Sequence, residues 1–147
     1  MAPSPGVGYH GGMTIQHTSH ARYDLWYHLA FATKYRKKVF TDRHTQERIK
    51  TILGAIAVQY DLQIGAVECL SDHVHASVSA PPRIAPARIA QILKSVSTKM
   101  LFAEFPWLTR EYWGGEIWAG GYFVRSVGPG ITKEHIERYI REQSEEL

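Results

Sequence analysis

The stretch 62–80, LQIGAVECLSDHVHASVSA, decides the fold. Its halves, 62–69 and 73–80, are short apolar runs on either side of Leu70–Asp72, and Pro81 and Pro82 end the second. That pattern reads as two strands joined by a tight turn. Upstream, Ile49, Ile52, Leu53, Ile56 and Tyr60 recur at helical spacing, predicting an amphipathic helix over 43–60 with Thr41 or Asp42 as its N-cap. Downstream, Pro86 suits a first helical turn, and Ile89, Ile92, Leu93, Val96 and Met100 mark a second helix. Farther out, Tyr23, Leu25, Tyr27, Leu29 and Phe31 alternate as in a strand. Residues 116–127 read as a fourth strand with a bulge at Gly120–Gly121, after an aromatic loop over 103–115. A last helix, capped by Thr132, runs to about Gln143.

The order is β-α-β-β-α-β-α. Its first six elements predict an α+β, ferredoxin-like fold: a four-stranded antiparallel sheet with two helices on one face, plus a C-terminal helix. Residues 1–20, rich in Pro, Gly, Ser and His without periodicity, read as a flexible leader, and 21–147 as a single domain.

Composition narrows the function. The chain has 147 residues and 44% hydrophobic content, which suits one globular domain, and no apolar run approaches a membrane span. One cysteine, Cys69, leaves no internal disulfide and fits a reducing compartment, so a soluble cytoplasmic protein is expected. There is no G-x-x-x-x-G-K-[ST], H-E-x-x-H or G-x-S-x-G, which argues against P-loop nucleotide hydrolysis, a zincin and a serine hydrolase. The net charge is only +3, but it is unevenly spread. Residues 22–50 hold eight bases against three acids, 83–110 five against one, and 131–147 three against five. A basic body with an acidic tail suits a polyanionic partner, although a charged surface is also the ordinary dress of a soluble protein.

Four groups of residues bear on chemistry. His73 and His75 are two apart on a predicted strand, so both rings lie on one face and form a ready pair of metal ligands. Eight histidines in this length give about 0.4 such pairs by chance, so the spacing alone decides little. Asp72 sits where it could orient a ligand or simply close the turn. Tyr139 and Gln143 are four apart on the last helix, on the side of Ile136 and Ile140, while Lys133, Glu137, Arg141 and Glu145 fill the other. An inward glutamine needs a partner, and a tyrosine there commonly just packs its ring. Cys69, His73 and His75 would make a zinc set if the thiol reached across the turn; a buried structural thiol is the plainer reading. Lys34-Tyr35-Arg36-Lys37-Lys38 places an aromatic among cations, as phosphate contact with base stacking requires.

Four blocks in order, YHLAFATKYRKKVF (27–40), SDHVHASVSAPP (71–82), WGGEIWAGGYFVRSVG (113–128) and ERYIREQ (137–143), together resemble the IS200/IS605-type single-tyrosine transposases. These belong to the wider group of His-hydrophobic-His (HUH) endonucleases. The resemblance covers about residues 22–146. It implies that His73 and His75 are ligands of a divalent metal, Mg²⁺ or Mn²⁺, that Gln143 is the third protein ligand and that Tyr139 is the nucleophile. The chemistry implied is metal-assisted cleavage and rejoining of single-stranded DNA at insertion-sequence ends, without ATP, through a 5′-phosphotyrosine. Implied partners are single-stranded DNA with hairpin ends and a second copy of the chain, in a homodimer whose active sites are shared between subunits; the setting would be the cytoplasm, at the nucleoid. Gly128 and Gly130 are expected to act as the hinge of the tyrosine helix. Lys34, Arg36, Lys37, Arg83, Lys94 and Lys99 are the expected DNA-backbone contacts. Two departures from the family pattern are visible: Ala76-Ser77 replaces bulky aliphatics, and Cys69-Leu70-Ser71 replaces a more usual Met-Pro. The competing readings are a non-catalytic ferredoxin-like nucleic-acid-binding module, a domesticated single-tyrosine nuclease acting on host repeats, and the zinc hydrolase built on Cys69.

Overall fold

A computed structural model of the chain describes residues 15–128. A short hairpin, β1 (Gln16–His17) and β2 (Arg22–Tyr23), leads into β3 (Trp26–Ala32). A 3-10 turn at Lys34–Arg36 precedes helix α1 (Arg43–Gln59), and β4 (Gln63–Cys69) and β5 (His73–Ser79) follow as a second hairpin. Helix α2 (Pro86–Glu104), a short helix α3 (Trp107–Glu111) and β6 (Phe123–Val127) complete the described elements. The main sheet has the order β4-β5-β3-β6, and every neighbouring pair is antiparallel. This is the predicted ferredoxin-like α+β architecture. The C-terminal helix assigned to Tyr139 lies outside the described residues.

Local chemistry explains the helices. The Asp42 carboxylate accepts the Thr45 N–H at 2.8 Å and caps α1. Ile49, Ile52, Leu53 and Ile56 then form one buried stripe. Pro86 occupies the first turn of α2, whose Ile89, Ile92, Leu93 and Leu101 are buried. Both stripes join Leu29 and Phe31 of β3 and Val74, Ala76 and Val78 of β5 in a single core. The helices therefore cover the sheet face carrying the odd-numbered residues of β3 and the even-numbered residues of β5.

Several boundaries differ from the sequence reading. The leader assigned to 1–20 ends earlier: Gln16 pairs with Tyr23, is buried, and donates its side-chain amide to Ser79 Oγ at 2.7 Å. Residues 1–14 lie outside the described residues. The alternating run from Tyr23 breaks at Asp24–Leu25, and β3 is buried on both faces rather than one. The span 103–115 is not all loop, because α2 continues to Glu104 and α3 seats Leu108 in the core. The strand placed at 116–127 is regular only from Phe123. Trp118 bridges Thr33, and Phe123 pairs with Ala30, so residues 119–122 face only Phe31 and Ala32. The excess is the excursion foreseen at Gly120–Gly121, and Lys94 Nζ pins it by donating to the carbonyls of Ala119 at 2.6 Å and Gly121 at 3.2 Å. Trp118 anchors its start, edge-on to Phe31 at 4.7 Å between centroids, with its indole N–H donated to Ser97 Oγ at 2.9 Å.

The departure at Ala76-Ser77 has a structural use. The register of β4 on β5 shifts between Ile64 and Val67, so Gly65 and Ala66 together oppose Ser77. The Ser77 hydroxyl accepts the Ala66 N–H at 2.8 Å and satisfies a donor that the bulge would strand. A bulky aliphatic side chain has no oxygen for that task.

Candidate active site

His73 and His75 project from the face of β5 opposite α1 and α2, with Val74 between them on the core side. Both are buried. Their rings stand nearly perpendicular, 84° apart, with centroids at 4.8 Å. A strand holds such a pair firmly because its side-chain period is two and its backbone is fixed by neighbours on both sides; β5 is central, between β4 and β3.

Each histidine has its own orienting partner. His73 Nδ1 lies 2.6 Å from Asp72 Oδ1, and His75 Nδ1 lies 3.3 Å from His28 Nε2. With the proton on Nδ1 of each, His73 donates to the carboxylate and His75 donates to the neighbouring imidazole. That tautomer puts the lone pair on Nε2 of both rings, the arrangement usual in metal-binding histidines. Asp72, placed where it could orient a ligand or close the turn, is hydrogen-bonded to the His73 ring. His28 escaped the sequence reading. It is paired with Ser77, while Ala30 is paired with His75, so His28 reaches His75 diagonally across the β3–β5 ladder and stacks on it at 16°.

Burial sets the protonation of this cluster. It lowers the pKa of His28 to about 4, and, helped by the nearby His28 and His73, that of His75 to about 3. Both are neutral near pH 7, as metal ligation requires. Burial alone would raise Asp72, but hydrogen bonds from His73 and Arg36 outweigh it and hold the carboxyl below its usual range. Unfolded histidines titrate near 6.5, so below that pH the unfolded chain takes up protons that folded His28 and His75 refuse until about 4 and 3. Their contribution is complete above about 6.5 and is lost as pH falls. Metal-free protein is expected to be roughly 3–4 kcal/mol less stable at pH 5 than at pH 7. Urea denaturation at the two values checks this; equal stabilities would contradict the buried neutral pair.

The zinc set is overturned. Cys69 is the cross-strand partner of Val74, so its thiol lies on the helix-covered face, away from both histidines, and belongs to the hydrophobic core. Burial pushes the thiol pKa up to about 12, far from a thiolate ligand. No group of three His, Cys, Asp or Glu among the described residues is arranged to hold a metal. Tyr139, Gln143 and Gly130 lie outside the described residues. Gly128 follows β6 directly, and a Cβ built on it meets no atom within 4 Å.

Of the six expected DNA contacts, five have intramolecular partners, and Lys94 and Lys99 line one cavity with Glu116, the partner of Lys34. Lys34 pairs with Glu116 at 3.1 Å and Arg36 with Asp72 at 3.2 Å. Lys37 pairs with Glu111 at 3.6 Å and lies over the Tyr112 ring. Arg83 pairs with Asp61 at 2.8 Å, and Lys94 is bound to the 119–121 carbonyls. Lys99 is exposed and forms no ion pair among the described residues, as does Lys38. Exposed pairs such as Arg83–Asp61 are weak and can open to an incoming phosphate. No helix among the described residues is long and apolar enough to cross a membrane.

Comparisons with known proteins bear on the family and the fold. The profile of a family described as "Transposase IS200 like" matches residues 21–143, a span that includes both histidines, Tyr139 and Gln143. The chain is 35% identical over 121 residues to the ISDra2 transposase TnpA of Deinococcus radiodurans, covering 82% of this chain and 85% of that protein. It is 33% identical over 128 residues to the transposase for insertion sequence element IS200 of Salmonella typhimurium, covering 87% and 82%. A crystal structure of a Deinococcus radiodurans protein described as a transposase superposes with a TM-score of 0.71 at 35% identity, over 88% of this chain and 98% of that one. A REP-associated tyrosine transposase bound to a REP hairpin gives a TM-score of 0.51 at 12% identity, over 83% and 68%, a likeness of fold.

Proposed function

The chain belongs to the family of IS200-like transposases, and from that premise we propose that it cleaves and rejoins single-stranded DNA at the ends of an insertion sequence, with Tyr139 as nucleophile. The observation that supports this reading is the buried pair His73 and His75, each ring held at Nδ1 by a neighbour; with the proton on Nδ1, both Nε2 atoms would serve as ligands.

The Tyr139 oxygen attacks phosphorus. The Tyr139 hydroxyl gives up its proton as the O–P bond forms, the P–O3′ bond breaks, and the departing 3′ oxygen takes a proton. The products are a 5′-phosphotyrosine and a free 3′-hydroxyl. Because the ester keeps the bond energy, attack by another 3′-hydroxyl reseals DNA without ATP, in keeping with the missing P-loop motif. Phenol has a pKa near 10, so only about one tyrosine in a thousand is ionised at pH 7 without help. His73, His75 and Gln143 would hold a divalent cation, Mg²⁺ or Mn²⁺, whose charge would neutralise the negative charge growing on phosphate. Neutral imidazoles suit this donor set because they add no charge to offset the cation's.

The hairpin bound by the REP-associated neighbour supports hairpin DNA as the partner here. A homodimer in which the tyrosine helix of one subunit completes the histidine site of the other fits the same reading, with Gly128 and Gly130 as its hinge. Alanine fits at 128 without a steric clash, so substitution there would alter backbone freedom alone.

The test is incubation of the protein with end-labelled DNA carrying candidate element ends, single-stranded or fully duplex, with Mn²⁺, Mg²⁺ or EDTA. Cleavage of the single strand, with a denaturation-resistant adduct that EDTA prevents, is expected. Cleavage that survives EDTA, or equal cutting of duplex, would contradict the proposal. Tight binding with no cleavage of authentic ends would favour the non-catalytic module.

A further inference from the structure

Arg36 is an expected DNA contact, yet its half-exposed side chain donates from Nε to Asp72 at 3.2 Å. We infer that Arg36 is a positioning residue, which holds Asp72 and through it fixes the ring of metal ligand His73. This rests on the proposed role of His73 and His75, and gives the basic loop a part in building the site.

The backbone supplies the first observation. Tyr35 and Arg36 both have positive φ, 62° and 52°. Two consecutive non-glycine residues in the left-handed region are unfavourable, and such conformations persist only where surrounding contacts dictate them. Here the contacts are plain. Thr33 N–H donates to the Asp72 carbonyl at 2.8 Å, and Thr33 Oγ1 donates to the Lys37 carbonyl at 2.8 Å. Phe40 N–H donates to the Ser71 carbonyl at 3.0 Å, and Tyr112 Oη donates to the Lys34 carbonyl at 3.2 Å. The loop is laced to the turn that precedes His73. Its consequence is a division of side chains: Tyr35 is 76% exposed, whereas Arg36 reaches Asp72.

The second observation is the geometry at Asp72. Its two carboxylate oxygens have different partners: Oδ1 accepts from His73 Nδ1 at 2.6 Å, and Oδ2 accepts from Arg36 Nε at 3.2 Å. A carboxylate held at one oxygen can still rotate about its bond to Cβ. Held at both, its plane is fixed, and so are the tautomer and tilt of the imidazole that it receives. His75 needs no such clamp, because its partner His28 is itself fixed on a neighbouring strand. Asp72 stands in a turn, outside the ladder, and Arg36 supplies the missing constraint.

The test measures Mn²⁺ affinity by calorimetry on DNA-free protein, and hairpin DNA affinity in EDTA. Arg36→Ala is expected to weaken Mn²⁺ binding about 10–100-fold and to leave metal-free DNA binding within about twofold. Arg36→Lys, which keeps the cation, should recover part of the loss. In an Asp72→Asn background, Arg36→Ala should cost little more, because the arginine acts through the carboxylate. If Arg36→Ala fails to fold, Arg36→Gln carries the same expectations. Lost DNA binding with unchanged Mn²⁺ affinity would overturn the inference and make Arg36 a DNA contact. Full additivity with Asp72→Asn would overturn it as well. His75→Ala separates the two levels: if the parent binds no Mn²⁺, or His75→Ala binds it equally well, the metal role of the histidines falls, and this inference with it.

Discussion

Tyr139→Phe is expected to lose the covalent protein–DNA adduct completely while still binding DNA. The substitution removes one oxygen and keeps the ring, so packing of the predicted last helix is preserved. What disappears is the atom that forms the bond to phosphorus. Loss of a nucleophile removes the covalent route itself, and cleavage should fall by roughly 10⁴-fold or more. Affinity for hairpin DNA, read by gel shift in EDTA, should stay within about twofold of the parent. An adduct that persists in Tyr139→Phe would assign the nucleophile elsewhere, with Tyr35 at 76% exposure the first residue to examine. Loss of binding together with cleavage would make Tyr139 a packed structural residue.

The second large effect is expected at His75. His75→Ala deletes one of the proposed ligands and leaves His28 without that partner, and cleavage should drop by roughly 10²–10³-fold. The fold should survive. His75 contributes to the sheet through its backbone, and burying a neutral imidazole adds little that alanine on a strand cannot replace. Raising the Mn²⁺ concentration should recover part of the activity, because the defect lies in binding the cation. Cys69→Ala is the matched control. Its thiol sits on the other face of the sheet, in the core, and its loss should leave cleavage unchanged. If Cys69→Ala abolished cleavage and His75→Ala did not, the histidine site would be wrong.

The sequence made some of this legible for physical reasons. The His73-Val74-His75 face was readable because strand period is a local property, and Asp72 because its neighbour in sequence is its partner in space. The helices were readable because their apolar stripes repeat every three or four residues, and Asp42 because caps are local. What escaped depends on register or on distant pairing. His28 meets His75 only because β3 lies against β5 with Ala30 opposite His75, and no pattern within residues 26–32 encodes that alignment. Lys34, Arg36 and Lys37 read as DNA-backbone contacts with no internal partner in view, because Glu116, Asp72 and Glu111 lie 35 or more residues away in the chain. Residues 107–111 were read as loop because one buried side chain, Leu108, is too little to make a periodic signal. The Ser77 departure looked like a packing change, and its use emerged only with the bulge opposite it.

The most direct test of the central claim is to identify the residue that carries the DNA. Protein would be reacted with single-stranded element ends and Mn²⁺, digested with nuclease and protease, and the nucleotide-bearing peptide sequenced by mass spectrometry. The account predicts a single modified peptide, with a 5′-linked nucleotide esterified to the Tyr139 oxygen and a free 3′-hydroxyl on the released strand. A nucleotide on any other residue, or a 3′-linked phosphate, would contradict it.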